Sequence, residues 1–169
     1  MNPRTIYFAA LGGLSLALYN PAFAQEPEKL NVLGTEMVIK VDGESTGGAM
    51  AVVEATVPAK HGPPLHIHSR EDEMFYVIDG QFRFWHGDES MEVSSGEVAF
   101  LPRNMRHTYQ NIGDGAGRLL VTITPAGFEG FFRKVSERNL SAPQDMEELQ
   151  ALAKEYGLEF LGPPPGAPN

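Results

Sequence analysis

The residues best suited to chemistry in this sequence are two histidines and a glutamate in one short stretch. His66 and His68 are separated by one residue, and Glu73 follows a polar bend, with six residues between it and Gly80. Alternate residues of a β-strand face the same side, so both imidazoles can point at one ion while the carboxylate completes a cluster. Nitrogen and oxygen donors of this kind are typical transition-metal ligands. The stretch therefore predicts a metal site.

A second motif, from Gly96 to Asn111, carries another histidine. Pro102 and Asn104 predict a tight turn, and His107 follows that turn at the start of a predicted strand. This order would direct His107 back into the barrel or sheet that holds the first motif. Of the five histidines in the chain, three thus fall in two compact motifs that could serve one site.

Together these motifs resemble the two sequence motifs of the cupin superfamily, over roughly residues 45–132. Residues 66–80 fit the first motif, with Gly62 or a neighbour in place of its opening glycine. In the second, Asn104 replaces the inner glycine; because Asn tolerates the left-handed backbone conformation better than other non-glycine residues, the turn should survive. The resemblance implies an all-β fold, the cupin double-stranded β-helix or jelly-roll barrel. The metal ligands that it implies are His66, His68, Glu73 and His107.

Neighbouring residues offer competing interpretations. Glu71 and Asp72 could replace Glu73 as the carboxylate ligand, but only Glu73 keeps the motif's spacing to Gly80. We expect the other two acids to be solvated or paired with arginines. The arginines in reach are Arg70, Arg103 and Arg106.

Two further histidines and two arginines lie near the motifs. His61 is expected to be a loop residue and not a fifth ligand, and His86 to be exposed in a turn. Arg103 and Arg106 flank the second motif and could bind an acidic substrate. A structural salt bridge to the acids at 71 and 72 is the favoured interpretation of these arginines.

Strand parity predicts the lining of a substrate pocket. Residues that share parity with Glu73 or His107 are expected to face inward with them, and two further phenylalanines are candidates. Several of these side chains must also form the packed core. An apolar, aromatic-lined cavity with one polar end suits a small, flat organic ligand. The predicted lining residues are Phe75, Val77, Phe84, Phe100 and Tyr109.

The residues around the first motif are most similar to those of small, quercetin-dioxygenase-like cupins. This likeness implies a metal-dependent dioxygenase acting on a small aromatic or phenolic compound. Three imidazoles and one carboxylate leave metal positions open, and Glu73 could also shuttle a proton as the catalytic residue. Two alternatives stay open because one fold hosts many functions: a non-catalytic periplasmic protein that binds a metal or small ligand, and a metal-assisted isomerase or hydrolase.

Composition and charge narrow the classes of function. The chain has 169 residues, 42% of them hydrophobic, which fits one domain. Its 18 glycines and 13 prolines predict many turns between short strands. A net charge of -9 without a basic cluster argues against nucleic acid and against an anionic membrane surface. There is no cysteine, so disulfides and a cysteine-linked lipid anchor are excluded.

The N-terminus has the parts of a secretory signal peptide: Arg4, an apolar run from Ile6 to Tyr19, and a small-x-small site ending at Ala24. The run is shorter than the roughly 20 residues that span a bilayer. We therefore expect cleavage of residues 1–24, no stable membrane insertion, and export to a bacterial periplasm. We expect the site to bind one divalent transition metal. Outside the cytoplasm the intrinsic order of metal affinities favours Cu or Zn at a nitrogen-rich site. Fe, Mn and Ni are alternatives.

The rest of the chain divides into three parts. Residues 25–44 are an N-terminal segment whose first residues, 25–30, are predicted to be a polar linker, and residues 45–132 are the barrel. Within the barrel, Asp79–Gly80 predicts a hairpin and His86–Glu89 predicts a second turn. Residues 133–169 hold a C-terminal α-helix and a proline-rich tail.

The C-terminal helix is predicted from Ser141, as N-cap, to Gly157, which ends it. Its apolar stripe should pack against the barrel or a second subunit, and the cupin resemblance implies a homodimer. The residues of the stripe are Met146, Leu149, Leu152 and Ala153.

Overall fold

A computed structural model describes residues 27–165 of the chain. The predicted signal peptide and the end of the proline-rich tail lie outside the described residues. The described part contains eleven strands and two helices. In chain order these are β1 (Glu28–Val32), β2 (Thr35–Val41), β3 (Ala51–Val57), β4 (Leu65–His68), β5 (Asp72–Asp79), β6 (Gln81–His86), β7 (Glu89–Ser94), β8 (Val98–Leu101), β9 (His107–Asn111), β10 (Gly117–Thr124), α1 (Glu129–Glu137), α2 (Met146–Glu155) and β11 (Leu158–Gly162).

The strands form two antiparallel sheets that face each other. The six-stranded sheet has the order β1-β2-β3-β10-β5-β8, and the five-stranded sheet has the order β11-β4-β9-β6-β7. Side chains alternate between the buried and the outer face, most regularly in β3, where Ala51, Val53, Ala55 and Val57 are buried. This period of two places one apolar row of each strand between the sheets. The predicted all-β barrel fold is confirmed.

The link between β5 and β6 is a corner and not the predicted hairpin. Only Gly80, with φ of 98°, separates the two strands, and they belong to different sheets. Both edges of β5 are already paired, with β10 and β8, so β6 has no place beside it and crosses to the other sheet. The second predicted turn does join a hairpin, since β6 and β7 pair from His86↔Glu89 to Gln81↔Ser94.

Residues 28–30 of the predicted polar linker are instead part of an edge strand, and residues 25 and 26 lie outside the described residues. β1 pairs with β2 along its whole length, from Glu28↔Ile39 to Val32↔Thr35. Its first residues are exposed, and an edge strand covered on one side only can be as polar as a linker. Its polarity is therefore consistent with the observed strand.

The C-terminal part differs from the prediction in three ways. α2 begins at Met146, because Ser141 caps a turn that precedes the helix, with its backbone N–H and hydroxyl both donating to Asp145 Oδ2. A first helix, α1, precedes it at the end of the barrel. After Gly157, β11 returns to pair with β4, so the C-terminal segment completes the five-stranded sheet.

The apolar stripe of α2 packs within the chain. Leu149, Leu152 and Ala153 are fully buried and belong to the same core cluster as the barrel interior, with Met146 partly buried against it. The stripe therefore leaves no apolar face for a second subunit. Among residues 27–165, no helix has the length and apolar character needed to cross a membrane.

Candidate metal centre

Three adjacent parts of the barrel bring the four predicted ligands together. β4 places His66 and His68 on its inner face, and β9 places His107 directly opposite His66. Glu73 comes from β5 of the facing sheet. All four side chains are at most 7% exposed. The fold thus closes both sequence motifs around one point between the sheets.

The donor atoms converge closely enough to share an ion. One ligand atom from each of the four residues lies within 4.8 Å of the others. Glu73 Oε2 is 3.1 Å from His107 Nε2 and 3.6 Å from His68 Nε2. Three imidazole nitrogens and one carboxylate oxygen form a donor set suited to a divalent transition metal, so the residues present fit such an ion.

The far nitrogens of two rings are held by the backbone. His66 Nδ1 is 2.7 Å from the carbonyl oxygen of Pro64, and His107 Nδ1 is 2.8 Å from that of Met105. A carbonyl only accepts, so each Nδ1 carries a proton, and Nε2 is the ring nitrogen left to bind an ion. These two rings are therefore set to donate electrons toward the cluster.

Burial and neighbouring charges set the protonation states of His66 and Glu73. Burial lowers the pKa of His66 to about 3, and the neighbouring His107 and His68 add to the shift. Burial by itself would raise the pKa of Glu73, but the surrounding histidines outweigh it and bring that pKa to about 2. At neutral pH the site thus combines a neutral His66 imidazole with an ionised carboxylate.

The turn before His107 has the predicted backbone. Asn104 has φ of 63°, which confirms that it adopts the left-handed conformation in place of a glycine. Its N–H donates to the carbonyl of His68 at 2.6 Å, which ties the second motif to the first. Gly62 lies so close to β9 that an added Cβ would be 1.9 Å from the Tyr109 carbonyl oxygen.

An apolar cavity of about 70 Å³ opens beside the cluster. His66, His68 and Glu73 form its polar end, and Phe75 and Tyr109 line it as strand parity predicts. Burial raises the pKa of the Tyr109 hydroxyl above its usual value, so it stays protonated.

Three predicted lining residues lie elsewhere. Val77 and Phe84 are fully buried in the packed core and do not line the cavity. Phe100 is 56% exposed, because its neighbours Ala99 and Leu101 take the inward positions of β8. Phe100 therefore points away from the barrel interior, and its predicted place in the pocket lining is wrong.

The aromatic wall of the cavity was not predicted from the sequence. Phe128, Phe131 and Phe132 line the cavity from α1 and the residue before it, and the Phe128 ring packs edge-on against His68 at 4.3 Å. With Val135 these residues follow helical spacing, a signal that was readable in the sequence.

The remaining charged residues near the motifs divide between surface and interior. Asp72 accepts from the backbone N–H of Arg103 at 2.8 Å and from its guanidinium at 2.7 Å, and Arg106 pairs with Asp88. Glu71, expected to be solvated or paired with an arginine, is instead 4% exposed beside His68. It follows His68 by three residues, and its Oε2 lies 3.4 Å from His68 Nδ1.

The two other histidines are placed differently from each other. His61 lies in the loop before β4, as expected, lines the cavity mouth, and its Nε2 is 2.8 Å from the Leu33 carbonyl. His86 was expected to be exposed in a turn. It instead ends β6 on the same face as Phe84, and its Nε2 is buried.

The middle of the chain matches a known protein family. A model described as the cupin domain matches residues 53–123, which includes both motifs. Residues 53–123 therefore form a cupin domain. Among solved structures, a predicted oxalate decarboxylase from Thermotoga maritima superposes with a TM-score of 0.53 at 24% identity, covering 59% of this chain and 91% of that one. This likeness supports the cupin fold.

Two curated relatives of this cupin are quercetin 2,3-dioxygenases. The protein from Aspergillus japonicus is 36% identical over 101 residues, which is 54% of this chain and 28% of the relative. The protein from Bacillus subtilis is 26% identical over 94 residues, 56% of this chain and 28% of the relative. The matched part of this cupin thus spans less than a third of either relative's length.

Proposed function

We propose that this cupin is a metal-dependent dioxygenase that acts on a small aromatic or phenolic compound. The observation that carries the proposal is the convergence of three histidines and Glu73 at one end of an apolar cavity walled by aromatic rings. The likeness to two quercetin dioxygenases supports it. A closed structural site would not need a cavity at its side.

The chain's own residues explain how a phenol would be held. Phe75 and Phe128 supply flat apolar walls, which suit an aromatic ring. The protonated Tyr109 hydroxyl can donate a hydrogen bond to an oxygen of the compound. Glu73, ionised at neutral pH, can accept the proton of a phenolic hydroxyl that reaches the polar end.

A divalent transition metal held by His66, His68, Glu73 and His107 would supply Lewis acidity and, for a redox-active ion, reactivity toward dioxygen. The protein's contribution is to exclude water from the cavity and to orient the compound. The buried cluster and its apolar surroundings provide both.

Oxygen uptake tests the proposal. The metal-loaded protein is mixed with a flavonol or simple phenol, and with the matched O-methyl ether, which has no proton to give up. We expect O2 consumption with the free phenols only. Conversion without O2 consumption would indicate an isomerase or hydrolase, and tight binding without conversion would indicate a binding protein; either result overturns the dioxygenase.

We also propose that the protein works in a bacterial periplasm and takes Cu or Zn there. The proposal rests on the signal-peptide pattern of residues 1–24 and on the affinity order for nitrogen-rich sites. Elemental analysis of protein isolated from the periplasm tests it. Copper fits the dioxygenase because it is redox-active, and stoichiometric Fe or Mn would contradict the compartment argument.

A further inference from the structure

The three histidines of the cluster all point Nε2 inward, but the group beside Nδ1 differs in one of them. In His66 and His107, Nδ1 faces a backbone carbonyl and Nε2 faces the cluster. In His68, Nε2 also faces Glu73, but Nδ1 faces a carboxylate: Glu71 Oε2 lies 3.4 Å away. Glu71 thus stands where the other two rings have a carbonyl.

The burial of Glu71 beside His68 leaves one polar atom of each residue without a hydrogen-bond partner in the described part of the chain. Both residues are at most 4% exposed, and neither Glu71 Oε2 nor His68 Nδ1 has a hydrogen-bond partner within residues 27–165. A buried carboxylate and a buried ring nitrogen are costly to leave unpaired. Since the two atoms are already 3.4 Å apart, a small ring or carboxylate rotation makes them each other's partner.

We propose that Glu71 is a positioning residue for the metal centre. Its carboxylate accepts a hydrogen bond from the Nδ1–H of His68. This bond fixes the tautomer and the orientation of the ring. It also makes Nε2 a more basic ligand for the metal. Carboxylates that act through a histidine in this way strengthen metal binding about 10–100-fold. Glu71 is on the far side of the ring from Glu73, so it acts through His68 and is not a ligand. The inference rests on the proposed metal site.

Metal affinity measured by competition with a chelator tests this role. Zn²⁺ is used as the probe, on wild type, Glu71→Gln, Glu71→Ala and the control Asp72→Asn, which changes an adjacent acid bonded to Arg103. We expect about tenfold or greater loss in Glu71→Ala, a smaller loss in Glu71→Gln, whose amide oxygen can still accept, and no loss in the control.

A second readout separates positioning from general destabilisation. In Co²⁺-loaded protein, each histidine bound through Nε2 gives a shifted, exchangeable Nδ1 proton signal in the NMR spectrum. One of the three signals should move in Glu71→Gln while two stay in place. Wild-type affinity in both Glu71 variants, or movement of all three signals, would overturn the role of Glu71. A wild-type protein that binds no Zn²⁺ or Co²⁺ would instead overturn the metal site itself.

A separate observation concerns the outer face of the six-stranded sheet. Two cross-strand pairs of β5 and β8 expose large apolar side chains there, Met74 with Phe100 and Tyr76 with Val98. Phe100 is 56% exposed and Val98 52%. A contiguous exposed apolar patch of this kind marks an interaction surface.

The occupant that fits this surface is a second copy of the chain. β8 is an edge strand, and residues 98–101 contain neither a charge nor a proline to guard the edge. Glu97 precedes the strand, and Arg103, with 39% of its side chain exposed, follows it. When two copies of β8 pair antiparallel, Glu97 of each copy comes beside Arg103 of the other, whose guanidinium also bonds Asp72 of its own chain.

We infer that the chain forms a two-fold dimer through β8. Analytical ultracentrifugation at micromolar concentration tests it, with Phe100→Glu and Glu97→Lys as variants and Met91→Glu as control, because Met91 is 39% exposed on the other sheet. We expect dimers in wild type and control, and at least tenfold weaker association in both variants. A monomeric wild type, or a dimer that these variants leave unchanged, would overturn the inference.

Discussion

His66 and His107 face each other across β4 and β9, with their ring centroids 4.5 Å apart. Each ring has its Nδ1 beside the carbonyl oxygen of the residue two positions earlier, Pro64 in one case and Met105 in the other. The two motifs therefore repeat one local device on neighbouring strands. These hydrogen bonds fix the orientation of both rings before an ion binds. Less conformational entropy is therefore lost when the metal binds.

Replacement of any one cluster histidine should remove most bound metal. His66→Ala, His68→Ala and His107→Ala each delete one of four converging donors. We expect the affinity for the metal to fall by more than about 100-fold, which is more than the loss caused by removing a hydrogen-bond partner of a ligand. Equilibrium dialysis with Zn²⁺ measures it.

The matched control is His61→Ala. His61 lines the same cavity, but its Nε2 contacts the Leu33 carbonyl and it is not among the clustered donors. It should keep a full equivalent of metal. Full occupancy in any of the three cluster variants would remove that residue from the ligand set.

Glu73→Gln should separate metal binding from turnover. The amide keeps the size of the side chain and one oxygen donor, but it loses the negative charge and cannot accept a proton. We expect weakened but measurable metal binding and loss of at least about 100-fold in oxygen uptake with phenols. A Glu73→Gln protein with wild-type turnover at saturating metal would show that this carboxylate carries no proton.

Part of the metal cluster was predictable from local sequence, because it depends on strand parity and on a turn. His66 and His68 share a strand face by spacing alone, and Asn104 marks the turn that returns His107 to the barrel. That Glu73 and His107 join the two histidines in one site was implied by the resemblance to the cupin motifs.

Features that depend on sheet assignment could not be derived the same way. Asp79–Gly80 has the composition of a hairpin turn, yet β5 has no free edge, so the chain changes sheet. Phe100 was offered as a lining residue without a known strand register, and the register of β8 turns it outward. In the sequence, Glu71 lies among polar residues and looks like an exposed acid. Only the folded bend places its carboxylate beside His68 Nδ1.

The ion pair of Asp72 with Arg103 should stabilise the fold in a pH-dependent way. Hydrogen bonds from the Arg103 side chain and backbone lower the pKa of Asp72 from 3.8 to about 2. The folded state therefore gains stability above about pH 4, and this gain is lost as pH falls through 2. Asp72→Asn should lower the melting temperature by about 3 °C at pH 7. Thermal unfolding from pH 2 to 7 should show the two proteins converging at the acid end; a constant difference would contradict the pair's role.

Gly62→Ala should be strongly destabilising, for a reason of contact and not of backbone conformation. A methyl group there would lie 1.9 Å from the Tyr109 carbonyl oxygen and 3.1 Å from the Gln110 Cα. Both are backbone atoms of β9, which cannot rotate away, so the loop before β4 must move. We expect a loss of about 3 kcal/mol or more in the free energy of unfolding.

Gly115→Ala is the matched control, since an added methyl group there meets nothing within 4 Å and should change stability by less than about 0.5 kcal/mol. The loop that Gly62 holds also supplies the Pro64 carbonyl to His66 and the Pro63 carbonyl to the Thr108 hydroxyl. Metal affinity should therefore fall with stability in Gly62→Ala and stay unchanged in Gly115→Ala. Urea unfolding and chelator competition on the two variants measure both effects. Equal stability of the two would mean that the loop can leave β9 at little cost.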